Sequence, residues 1–119
     1  MKKILVFIFA ISSVEISSAA SIEQYANSVD KIRSVYAQDI RSFLRSLNPQ
    51  ISQFTPGQQA KYCQINQHYI QDMSDAIEQN RSSLPQQYAS MTKQDLIKQV
   101  IESKEMQMLE KYNIQCDFK

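Results

Sequence analysis

The sequence predicts an all-α fold, a small antiparallel helical hairpin or three-helix bundle with one disulfide. Three observations predict it. Apolar residues recur at the ~100° turn of a helix in three separate segments. Glycine appears once and proline three times, a poor supply for repeated tight β-turns. Two segments open on a threonine followed three residues later by a side chain that can return its hydrogen bond, as at a capped helix start.

The first 20 residues are set apart. The chain begins MKKILVFIFAISSVEISSAAS, with two lysines, an apolar run from Ile4 to Ile11, and small residues up to Ala19 and Ala20. This is the pattern of a cleaved export signal, despite the unusual Glu15. Its apolar run falls well short of the ~20 residues that span a bilayer, and no lipid-accepting cysteine follows it. The expected organisation is a signal peptide over 1–20 and a single helical domain over 21–119, periplasmic or secreted, with no stable membrane insertion after cleavage.

Along that domain, Ile22, Tyr25, Ala26, Val29, Tyr36, Ile40, Phe43, Leu44 and Leu47 share one stripe. Ser21 and Gln24 can cap its start, and Pro49 ends it by pushing Asn48 out of helical dihedrals. Arg33 falls within the stripe and is expected to lay its stem on apolar surface with its guanidinium in water. The second segment opens at FTPGQQAKYC. Thr55 caps, Pro56 fits the first helical position, and Gln58 completes the box. Tyr62, Cys63, Ile65, Tyr69, Ile70, Met73, Ala76 and Ile77 then face inward as far as about Arg81. The third segment repeats this grammar with Thr92 and Asp95. Ile97, Val100, Ile101, Met108 and Tyr112 form its inward face, which Lys104 interrupts. Val35, Met106 and Leu109 lie off these stripes and are candidates for exposed contacts. The short linkers favour antiparallel neighbours.

Antiparallel packing brings the start of the second helix beside the end of the third, so Cys63 and Cys116 meet at one end. An even cysteine pair in an exported chain favours a disulfide. Closing a loop of that length is worth about 4 kcal/mol in unfolded-chain entropy. A redox-active dithiol is disfavoured, because there is no Cys-x-x-Cys, nothing obvious to lower a thiolate pKa and no resolving cysteine nearby in sequence.

FTPGQQ also resembles the LTxxQ motif of periplasmic helical stress chaperones of the Spy and CpxP type. Thr55 matches the motif's threonine and Gln58 a polar capping position, with Phe54 in place of its leucine. MTKQD, at 91–95, shares the threonine and departs at Asp95, where the motif has glutamine. The resemblance covers six residues and implies a chaperone-like helical protein, although those chaperones are longer, cradle-shaped dimers. Helix capping accounts for the same letters.

Composition removes several function classes. The whole chain carries 13 basic and 12 acidic residues, and loss of Lys2, Lys3 and Glu15 with the signal leaves the two signs equal. Nucleic-acid binding, which calls for a positive excess, is therefore not expected. One glycine excludes a glycine-rich phosphate loop. His68, the single histidine, has Asp72 and Asp75 on its own outer face, too few ligands for a structural zinc site. No serine, cysteine or histidine arrangement suggests a nucleophile. No metal, cofactor or catalytic residue is expected.

The expected function is a non-catalytic exported module that binds another protein, as an immunity or inhibitor protein or a periplasmic chaperone does. The alternatives are a helical protein for a small apolar ligand and an unfamiliar hydrolase using carboxylates and His68. Tyr62, Tyr69 and Lys104 are the expected partner-binding residues. They sit with Asn66 on the inward arcs, where a polar side chain needs either a core hydrogen bond or an accessible groove.

Overall fold

Pro49 and Asn48 turn the chain back on itself, and that reversal organises the molecule. The computed structural model describes residues 22–119 in full and the backbone alone over 2–21; the expected export signal and the Ser21 cap lie outside the fully described residues. Helix α1, Lys2–Arg45, ends one turn before Pro49. Asn48 accepts from the Gln50 amide at 3.0 Å, and the Ile51 amide returns to the Asn48 carbonyl at 3.0 Å. This side chain-to-backbone turn is one that asparagine favours.

Helix α2, Pro56–Asn80, starts as its sequence requires. Thr55 accepts from the Gln58 amide at 3.1 Å, and Gln58 accepts from the Thr55 amide at 2.9 Å. It runs antiparallel to α1, since Tyr36 lies against Tyr69 and Asn66 whereas the later Phe43 lies against the earlier Tyr62 and Phe54. A 3-10 turn, Arg81–Ser83, and the short α3, Gln86–Ala89, lead into α4, Lys93–Ile101. Arg81 ties this linker together by donating to the Ala89 carbonyl and pairing with Glu78. Thr92 and Asp95 cap α4 reciprocally, at 3.2 and 2.9 Å.

The principal packing is α1 on α2 and α4 on α2. Helix α2 is therefore the central element, with Ile65, Ile70, Met73, Ala76 and Ile77 buried between its two partners and Leu96, Ile97 and Val100 facing them from α4. Helix α1 has one main partner, so its buried stripe is narrow. Phe43 is buried, while Ile22, Ala26 and Leu44, expected to face inward, are exposed. Arg33 is exposed, as its polar head requires. Five α-helices, two 3-10 turns and no strand make up the described residues. None of their helices is long and apolar enough to cross a membrane.

The third helix departs from expectation. It breaks at Glu102–Ser103 and resumes as α5, Lys104–Leu109, followed by a 3-10 turn, Glu110–Tyr112. Ser103 takes an extended conformation (φ −66°, ψ 153°), donates to the Val100 carbonyl at 2.7 Å and accepts from the Met106 amide at 3.2 Å. The serine thus ends one helix and caps the next. The break resets the helical phase of the residues after it: Met106, expected outside, is 7% exposed, whereas Met108, expected inside, is 68% exposed. Ile101, also expected inside, ends α4 just before the break and is 49% exposed. Leu109 is half-buried, and Val35 is exposed as expected.

Candidate functional site

Polar groups inside the helix hairpin settle where the tyrosines belong. Asn66 is 1% exposed. Its Oδ1 accepts from the Tyr36 hydroxyl at 2.7 Å, and its Nδ2 donates to the Tyr62 carbonyl at 3.0 Å. Asn66 therefore makes a core hydrogen bond and does not open a groove. The Tyr62 side chain has 0% exposure, and its hydroxyl is buried without a hydrogen-bond partner. Burial pushes the Tyr62 phenol above its ordinary range, with the Asn66 amide opposing and the Glu105 carboxylate adding. Burial likewise raises Tyr36, reinforced by Tyr62, Glu105 and Tyr69.

Placement as partner-binding residues fares unevenly. Tyr62 has no surface with which to meet a partner, because the inward arc it occupies is closed by Phe43 and Phe54. Tyr69 is half-buried, its ring centroid 4.5 Å from that of Tyr36. Lys104 is exposed in the first turn of α5, because the Ser103 break turns it off the inward face. The three do not form one exposed patch.

The chain after α5 builds a different feature. Asn113 takes a left-handed conformation, φ 64° and ψ 39°, which asparagine tolerates better than most residues. Beyond it, 114–119 runs without regular secondary structure along the first half of α2 as a strap. Three α2 side chains hold it. Gln59 donates to the Gln115 carbonyl at 3.0 Å. Cys63 is joined to Cys116, with Cα atoms 5.5 Å apart. Gln67 donates to the Lys119 carbonyl at 2.8 Å and accepts from its amide at 2.9 Å. Spacing of four places Gln59, Cys63 and Gln67 on one stripe of α2. At the strap's root, Phe54 stacks on Tyr112 with centroids 5.4 Å apart.

The energetics show why the covalent link matters. Ordering Asn113–Lys119 costs roughly 7–14 kcal/mol at about 1–2 per residue. Burying Ile114 and part of Phe118, with three side-chain hydrogen bonds of about 1 kcal/mol each, returns about 6. The disulfide contributes about 4 kcal/mol through the unfolded chain, which brings the two sides close to balance.

The strap walls two openings. On one side a groove of about 590 Å³ exposes the disulfide among Phe54, Pro56, Gln59 and Asp117. On the other, a notch of about 200 Å³ is formed by Ile101 of α4, Met106 and Glu110, and by Ile114 and Phe118 of the strap. Ile101 is half-exposed at this notch. A third groove, about 570 Å³, lies between α1 and α2 at Asp39, Lys61, Gln64 and His68. There His68 Nε2 lies 3.2 Å from Asp72 on its own helix, and its side chain is 61% exposed. Asp75 accepts from Gln71 at 2.9 Å. Among the described residues, no three His, Cys, Asp or Glu side chains gather where they could hold a metal ion.

No family model, curated protein or solved structure matches the chain.

Proposed function

We propose that this protein is an exported, non-catalytic module that binds another protein by taking one apolar side chain into the notch between α4, α5 and the strap. Export rests on the signal pattern of residues 1–20 and agrees with the Cys63–Cys116 disulfide, which persists in oxidising compartments. The observation that carries the binding reading is Ile101, 49% exposed beside Met106, Ile114 and Phe118. A large aliphatic residue next to an apolar recess is the kind of element that anchors an interface. Glu110 at the same notch supplies a polar rim.

The notch volume favours a side chain over a free ligand, because small-molecule sites usually span ~300–1,000 Å³. Hydrolysis is disfavoured by His68, which faces solvent and pairs with Asp72 alone. Near-balanced charge gives no basis for a nucleic-acid partner. Inhibition of an incoming toxin and chaperoning of another exported protein, the role that the chaperone-like FTPGQQ stretch implies, both require binding of another protein.

The test is capture of a partner by the oxidised chain and by its Ile101→Asp variant, with equal folding shown by circular dichroism. A carboxylate at the notch should abolish capture of a specific partner. Equal capture by both would place the interface elsewhere.

A further inference from the structure

The strap is the one segment that walls both the notch and the groove exposing the disulfide, and its non-covalent attachments are few. Gln59 and Gln67 hold only its main chain, through side chains open to water. Ile114 is its one buried residue, and the left-handed Asn113 sets it off from the 3-10 turn after α5. Cys63 and Cys116 are half-buried and line a groove wide enough to admit a small thiol. The buried core of α2 and α4 spans Ile65 to Ile77 and Leu96 to Val100, and the strap adds one buried side chain to it, Ile114.

We propose that the Cys63–Cys116 bond is a redox latch: opening it releases the strap Asn113–Lys119 and dismantles the notch, while the helical core stays folded. The chemistry is thiol–disulfide exchange with a dithiol. One thiolate of the dithiol attacks a sulfur of the bond, giving a mixed disulfide and a free cysteine thiolate. The second thiol then displaces the other cysteine. The dithiol is oxidised to its own disulfide, and Cys63 and Cys116 are reduced and take up two protons. Strap release then follows from the entropy of a segment whose remaining contacts do not match its ordering cost. Resting on the notch as the binding surface, the latch makes binding competence a property of the oxidised chain. A chain still in a reducing compartment before export would have no assembled notch.

Methyl NMR of the purified chain, oxidised and after dithiothreitol, tests the latch without any partner. On reduction the methyl signals of Ile114 should move to random-coil positions, while those of Ile65, Ile70, Ile77, Leu96, Ile97 and Val100 keep their dispersion. An Ile114 signal unchanged by reduction would mean that the strap stays seated. Collapse of all these signals to random-coil positions would mean that the bond holds the whole domain together. Either result overturns the proposal. The Cys116→Ser chain should match the reduced protein without reductant and keep its helical circular dichroism; a native-like strap in that variant also overturns it. A released strap with unaltered partner capture by the reduced chain would instead contradict the notch as the binding surface.

Discussion

Two tyrosines, Tyr36 and Tyr62, meet the same buried Asn66 and should respond to loss of their hydroxyls with opposite sign. In Tyr36→Phe, the Asn66 Oδ1 loses the donor that now reaches it at 2.7 Å. Asn66 is 1% exposed, so water does not replace that donor, and an unsatisfied buried acceptor costs about 1–3 kcal/mol. Tyr62→Phe instead removes a hydroxyl that is buried without a partner. The phenylalanine keeps the packing against Phe43 and Phe54 and relieves the desolvation, so stability should be unchanged or raised by up to about 1 kcal/mol. Urea titration followed by circular dichroism measures both. For a domain of this size, each kcal/mol corresponds to roughly 4–8 °C in Tm. If Tyr62→Phe is destabilised as much as Tyr36→Phe, the Tyr62 hydroxyl has a partner and the account of this core is wrong. Alkali provides an independent check. Both phenols have folded pKa values above 10.0, so the native state holds protons that the unfolded chain gives up. Stability from these groups is complete below pH 10 and declines as pH rises above it.

Other consequences follow at single positions. The Thr92 backbone and hydroxyl hold the Asp95 carboxyl below its ordinary 3.8, so its contribution is present above that pH and is lost as pH falls through the lowered value. Asp95→Asn should flatten that acid limb in melts between pH 2 and 5; an unchanged limb would remove Asp95 as its source. Ser103→Ala should cost about 0.5–2 kcal/mol through loss of the α5 cap, and it should raise hydrogen exchange at Met106 before any other core position. His68→Ala should leave Tm within about 2 °C of the parent, as expected of a solvated side chain, and metal analysis of the parent should give well under one ion per chain. A stoichiometric metal lost in that variant would revive a metal-site reading.

The legible part of the sequence was the part governed by local rules. Thr55–Pro56–Gln58 and Thr92–Asp95 encode their own end-group chemistry, so two helix starts could be placed to the residue. The disulfide followed from antiparallel pairing, which the linker lengths imply. The break at Ser103 was not legible, because serine is tolerated inside helices and only its bonds to Val100 and Met106 reveal a cap. The break turns Met106 inward, and Ile101, the last residue of α4, is half-exposed where that helix stops, so the notch is hidden from periodicity. Tyr62 was misplaced for a related reason, since an inward aromatic reads the same whether its arc is closed or left as a groove. The strap did leave a signal, Gln59, Cys63 and Gln67 at spacing four. Glutamine is so common in this chain that such a row stands out only once the main chain it holds is seen.

The central claim, that Ile101 and the oxidised strap together form the surface that meets a partner, is tested most directly by photo-crosslinking from position 101 of the exported, disulfide-bonded chain. The account predicts one dominant protein adduct from position 101, none from the exposed Asp30 on α1, and loss of the adduct when Cys116 is replaced by serine. Adducts of equal yield from both positions, or an adduct at 101 that survives Cys116→Ser, would contradict it.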